Sequence, residues 1–170
     1  MNKAIFLDRD GVINVDKSYV YKKEDFEFCE GIFEVLKHFQ SLGYLLIIVT
    51  NQSGIGRGYY SEEAFQELSQ WMSDALLEND IKINAIYHCP HAPEEGCECR
   101  KPRSGMFYKA IEAFDIDVKD SWMIGDKISD IQAANGAGVS QTILLAHNKG
   151  KSEAKYCVNF LLDTINIIKS

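Results

Sequence analysis

The strongest constraint on this chain's fold is an alternation along its length. Short, continuously apolar runs alternate with segments whose apolar residues recur every three or four positions. Ala4 to Asp8 (AIFLD) and Tyr44 to Asn51 (YLLIIVTN) are runs of the first kind. Almost no polar position interrupts them, so they read as strands covered on both faces. Ile83 to Cys89, Ser121 to Asp126 and Gln141 to Ala146 read as further strands, and Tyr156 to Phe160 as a last short one. Ile32 to Leu42, with Gly43 as its stop, reads as a helix, as do Gly105 to Asp115 and Ile128 to Gly138. Ser61 to Asn79 is a helix with a Ser cap and Phe65, Leu68, Met72 and Leu76 along one face. Ala64 stands where a capping box needs Glu or Gln, so that box is incomplete. Leu161 to Lys169 is predicted to be a final helix. The alternation predicts an α/β fold with a doubly wound parallel sheet. No repeat, low-complexity run or linker divides the 170 residues, which read as one domain.

Charge narrows the function. With 18 Lys and Arg against 25 Asp and Glu, the formal charge is −7. That argues against nucleic acid as a partner, because neutralising phosphates needs clustered cations. No apolar run approaches the ~18 residues of a membrane span. The N-terminus meets charge too early to serve as a signal peptide, so a cytoplasmic location is expected. The five cysteines are odd in number and come without a secretion signal, which does not suggest a disulfide framework.

In doubly wound sheets, ligands bind beyond the carboxyl ends of the strands. Those ends carry reactive groups here. Asp8 and Asp10 in DRDGV can face one cavity if the chain turns at Gly11. One carboxylate would then attack phosphorus and bind a metal, while the other protonates the leaving oxygen. Thr50 in VTNQSG offers a hydroxyl to a phosphate oxygen. Lys101, before Pro102, offers a fixed charge. Asp126 in GDKISD would complete a magnesium site, with Asp130 bracing the following helix. Taken singly, the two acids also fit a surface loop, Thr50 a β-branched strand end and Lys101 a solvated side chain; their convergence is the signal.

The loop CPHAPEEGCECRKP holds two close pairs, Cys89 with His91 and Cys97 with Cys99. Three Cys and one His make a four-ligand tetrahedral zinc site with no open position, hence a structural one. His88, at a strand end, is the weaker rival ligand. Because the loop runs into Arg100 and Lys101, the metal is expected to hold both in place. Cys29 and Cys157 are isolated and read as small core residues.

Taken in order, DRDGV, VTNQSG, the RKP lysine and GDKISD resemble the four motifs of haloacid dehalogenase superfamily phosphatases. The resemblance implies Asp8 as nucleophile, Asp10 as general acid and base, and Thr50 and Lys101 as the groups that steady the phosphoryl. It also implies Asp8, Asp126 and the Asp10 carbonyl as magnesium ligands. Neither interval between motifs has room for a cap domain of ~100 residues, so a capless enzyme is expected. DRDGVINVD, SYVYKKEDFEF, TNQSGIGRGYYSEEAF and CRKPRSGM resemble the D-glycero-D-manno-heptose 1,7-bisphosphate phosphatases. The zinc-loop histidinol-phosphate phosphatases are the near alternative, and a non-catalytic zinc-stabilised scaffold the distant one. Ser18 departs from the glycine usual in the heptose group, and the interval from His91 to Cys97 is shorter than in many of its members. The resemblance implies Asp16, Lys17, Ser18, Tyr19, Asn51, Gln52, Ser53, Arg100 and Lys127 on the sugar and distal-phosphate side. Arg57, in its glycine-flanked loop, would add charge there. The implied substrate is a small phosphorylated sugar on the way to a nucleotide-activated heptose for a surface glycan, handled by a monomer.

Overall fold

The computed structural model describes residues 1–146 and 153–170. Among these, six strands form one sheet: β1 (Ala4–Leu7), β2 (Leu45–Asn51), β3 (Ala85–Cys89), β4 (Trp122–Gly125), β5 (Gln141–Leu145) and β6 (Tyr156–Val158). Their order is β3-β2-β1-β4-β5-β6 and every neighbouring pair is parallel. The helices are α1 (Ile32–Ser41), α2 (Ser53–Gly56), α3 (Glu62–Leu77), α4 (Gly105–Phe114) and α5 (Ile128–Gly136).

The unbroken apolar runs have the cause the sequence implied, since each central strand feeds two cores. Ile5, Leu7, Leu46 and Ile48 face α1 and α3, packing with Leu36, Phe39, Leu68 and Met72. Ala4, Phe6, Ile47 and Val49 face the other way, onto Met106 and Phe107 of α4 and Ala133 and Ala134 of α5. All four residues of β1 are fully buried. Each large apolar side chain so buried contributes about 1.5–3 kcal/mol. The Ser61 hydroxyl accepts from the Ala64 amide at 3.0 Å, so α3 is capped without the second half of the box.

The structure refines the sequence reading at three points. The expected final helix is present, as a 3₁₀ helix over Leu161–Asn166 that stops short of Lys169. Spacing by three fits both the 3₁₀ and the α form, and β-branched Thr164, Ile165, Ile167 and Ile168 disfavour the latter. Cys29 and Cys157 are partly exposed rather than core residues. Cys29 sits just before α1 at the rim of the first core, and Cys157 lies on the sheet's edge strand. The short α2, directly after β2, has no counterpart in the sequence reading.

The chain runs outward from β1 to β3 and then returns to β1's other side as β4. Strand order therefore reverses between β1 and β4, and a crevice opens beyond their carboxyl ends. No helix among the described residues is long and apolar enough to cross a membrane.

Candidate active site

Asp8 follows β1 and Asp126 follows β4, so both lie at the reversal point; Thr50 is the penultimate residue of the adjacent β2. Carboxylate oxygens of Asp8, Asp126 and Asp130 all lie within 4.8 Å of one another. One buried cation answers them. Lys101 Nζ donates to Asp8 Oδ1 at 2.9 Å, to Asp130 Oδ1 at 2.6 Å and to the Val49 carbonyl at 2.8 Å. Burial works against the lysine's charge, but Asp130 and then Asp8 outweigh it, and its pKa is raised. Asp8 is raised well above the usual carboxylate value by burial and by Asp130, with Lys101 pulling the other way. Burial likewise raises Asp126.

Three acids against one buried lysine leave an excess of negative charge. Asp126 Oδ1 is buried and has no hydrogen-bond partner, a costly state for a carboxylate. A hard divalent cation relieves both conditions, and an all-oxygen donor set suits magnesium. Asp130 is already committed, since its Oδ2 accepts from the amides of Asp126 (3.2 Å) and Lys127 (3.1 Å). That caps α5 and leaves Asp130 bracing the site.

Gly11 makes the approach of Asp126 possible. Its φ is +93°, and a Cβ there would lie 2.0 Å from Asp126 Oδ2. Gly11→Ala is expected to lose about 1–2 kcal/mol from the left-handed backbone alone. It should also displace Asp126, seen as weaker magnesium stabilisation in thermal melts. An alanine variant with unchanged magnesium response would contradict this.

Asn51 has a role that the sequence did not indicate. Its Oδ1 accepts from the Lys101 amide at 3.0 Å and its Nδ2 donates to the Lys101 carbonyl at 3.2 Å. The side chain grips the lysine's backbone across the loop, although it also borders the crevice.

The crevice measures about 510 Å³. Asp10, Asp16, Ser18, Tyr19, Asn51, Gln52, Ser53, Arg100, Lys101 and Lys127 line it, as do Tyr60 and Ser129, which the sequence did not single out. Arg100 Nη1 is buried without a protein partner, a donor available to an anion. Lys127 Nζ lies 3.7 Å from Asp16 Oδ2. Two residues expected there are absent from the lining. Lys17 pairs with Glu27 at 3.2 Å, and Arg57 donates from Nε to Ser53 Oγ at 3.3 Å. Arg9, to which the sequence analysis gave no role, is 1% exposed and bonded to Asp10.

Beside the crevice, Cys89 Sγ, His91 Nδ1, Cys97 Sγ and Cys99 Sγ lie mutually within 4.8 Å. Their separations include 3.5 Å for Cys89–His91 and Cys89–Cys97, and 3.2 Å for His91–Cys99. Burial alone would raise the Cys97 thiol, but the Arg100 amide and neighbouring thiols hold it down to about 7. Three sulfurs and an imidazole converging in this way fit a tetrahedral cation. His88 does not join them. Its Nε2 lies 2.7 Å from Glu62 Oε1 and its ring stacks on Phe65.

Comparison with known proteins agrees with this geometry. The HAD-hydrolase-like family matches residues 98–165. The D-glycero-alpha-D-manno-heptose-1,7-bisphosphate 7-phosphatase of Campylobacter jejuni is 53% identical, with 98% of this chain and 96% of that protein aligned. The D-glycero-beta-D-manno-heptose-1,7-bisphosphate 7-phosphatase of Helicobacter pylori is 48% identical, over 99% and 98%. Among solved structures, the D,D-heptose 1,7-bisphosphate phosphatase of B. bronchiseptica, complexed with magnesium and phosphate, superposes with a TM-score of 0.88. It is 29% identical and covers 97% of each chain. The chain therefore belongs to the D-glycero-D-manno-heptose-1,7-bisphosphate 7-phosphatase family of HAD-like hydrolases.

Proposed function

We propose that this protein removes the C7 phosphate of D-glycero-D-manno-heptose 1,7-bisphosphate through an aspartyl-phosphate intermediate. The observation that carries the reading is the buried Asp8–Lys101 contact at 2.9 Å, set beneath a crevice where Arg100 keeps a buried, unpaired donor. One end holds a nucleophile beside a cation, and the other suits a second phosphate, as a bisphosphate requires. Magnesium, held by Asp8, Asp126 and the Asp10 carbonyl, would neutralise phosphate charge when bound. Asp8 supplies the attacking oxygen. Lys101, locked by Asp130 and the Val49 carbonyl, steadies the equatorial phosphoryl oxygens together with the Thr50 hydroxyl. Asp10 protonates the departing C7 alkoxide and then takes a proton from the water that cleaves the acyl phosphate. The Cys₃His cluster would hold zinc, which would fix the loop leading to Arg100 and Lys101.

Histidinol phosphate is not favoured. It carries one phosphate and leaves Arg100 without a partner, and the relatives above are heptose phosphatases by name. Phosphate release from the α and β heptose bisphosphates and from histidinol phosphate, compared at equal enzyme, tests the assignment. A heptose anomer should lead histidinol phosphate by at least ~100-fold in kcat/KM, the cost of losing a charged contact of about 3 kcal/mol. The reverse order would move the enzyme to histidinol phosphate.

A further inference from the structure

Asp10 is held on both oxygens by side chains that the mechanism above does not use. Its Oδ1 accepts from Arg9 Nη2 at 2.9 Å and from Asn14 Nδ2 at 3.0 Å. Its Oδ2 accepts from Gln52 Nε2 at 3.1 Å. Two donors occupy the lone pairs of Oδ1, whereas a single donor leaves one free on Oδ2.

The far end of Gln52 decides which way its amide faces. The Tyr60 hydroxyl donates to Gln52 Oε1 at 2.5 Å. Burial pushes that hydroxyl up to about 12, so it stays a proton donor at neutral pH. With Oε1 engaged, the amide nitrogen gives one hydrogen to Asp10 and the other to Thr50 Oγ1, at 3.0 Å. The Thr50 hydroxyl in turn donates to the Asn51 carbonyl at 3.4 Å. Tyr60 is itself fixed, lying 5.0 Å from the parallel ring of Tyr21. It also packs against Gly54 so closely that a Cβ there would sit 2.1 Å from its ring.

We infer that Gln52, oriented by Tyr60, is a positioning residue that makes Asp10 Oδ2 the proton-carrying oxygen. The inference rests on Asp10 being the general acid. As an Asp8 oxygen bonds to phosphorus and the ester P–O bond breaks, the Oδ2 proton passes to the leaving alkoxide. In the second step a water oxygen bonds to phosphorus, its proton returns to Oδ2, and the bond to Asp8 breaks.

The test compares leaving groups. A C7 alkoxide needs a proton to depart, whereas p-nitrophenolate does not. Single-turnover ester cleavage is measured at saturating heptose 1,7-bisphosphate and at saturating p-nitrophenyl phosphate. The measurement therefore excludes binding and acyl-phosphate hydrolysis. The ratio of heptose to aryl rates should fall about tenfold in Tyr60→Phe and up to ~100-fold in Gln52→Ala, within the range of general acid catalysis. Tyr60→Phe keeps the stacked ring and carries the test if Gln52→Ala does not fold. Equal losses on both substrates would mark a merely structural role and overturn the inference. Asp10→Asn serves as reference. If it leaves the ratio unchanged, the reading of Asp10 falls and the inference with it. If it lowers the ratio while Tyr60→Phe and Gln52→Ala do not, the inference alone falls.

Discussion

Asp8→Asn is expected to abolish phosphate release and, with magnesium absent, to raise the melting temperature. Activity should fall by at least ~10⁴-fold, as for other enzymes stripped of their nucleophile. The stability gain follows from the company Asp8 keeps. It is 4% exposed and shares its surroundings with Asp126 and Asp130. Burial and Asp130 raise its pKa above the ordinary 3.8, so the folded state prefers the protonated acid. Ionised Asp8 therefore weakens the fold progressively as pH rises from that ordinary value toward the raised one, and the loss is complete above it. Asparagine keeps the side chain's shape and an acceptor for Lys101 and the Arg9 amide, and it removes the charge. In a chain this size each kcal/mol recovered raises Tm by ~2–4 °C. Magnesium should stabilise the native protein far more than the variant. Asp10→Asn should act in the opposite sense, because it strips the fully buried Arg9 of its carboxylate partner, at a cost on the order of 3 kcal/mol. Melting curves in chelator decide the matter, and an Asp8→Asn protein that melts at or below the native temperature contradicts the argument.

Residues that act through their type were legible in the chain, and those that act through position were not. Asp8, Thr50 and Asp126 end apolar runs, and a parallel sheet brings such ends together whatever the intervening loops do. The Cys and His pairs announce themselves because soft ligands rarely gather without a metal. Arg9 could not be found in this way. Between two acids it looks like a solvated spacer, and only the fold shows it turned inward to the Val20 carbonyl and Asp10. Asn51 sits in a recognisable motif, yet its amide serves the Lys101 backbone, fifty positions away in the sequence. Tyr60 is one of two tyrosines in GRGYYS, and nothing in that string separates it from its neighbour. Tyr59 is 55% exposed and Tyr60 8%. The terminal helix was legible as a helix but not as a 3₁₀ one, because a spacing of three is shared by two helix types.

Removing the metal from the cysteine loop is expected to abolish most activity without dismantling the sheet, and added magnesium should not restore it. The fully buried Cys89 ends β3, so one anchor of the cluster belongs to the core. Beyond it, the loop is held mainly by main-chain contacts. The Pro90 carbonyl accepts from Gly56 at 2.8 Å, and Arg103 donates to the Gly96 and Cys97 carbonyls. Cys99 lies two residues before Lys101, whose ammonium must reach Asp8, Asp130 and Val49 together. Loss of the metal leaves the Asn51 amide to hold the lysine's backbone. Misplacing a catalytic group by about 1 Å costs on the order of 10²-fold in rate. Cys99→Ser should therefore lose at least that factor in kcat while far-ultraviolet circular dichroism stays nearly native. If the lost ligand also costs ~3 kcal/mol, the melt falls by about 10 °C. Cys157→Ser, on the edge strand β6, should change neither quantity. Titrating the thiols while following released metal and residual phosphatase activity in one cuvette tests the link. Activity lost in step with the metal supports a loop that positions Lys101, whereas a fully active, metal-free protein would show that the Asn51 clamp suffices.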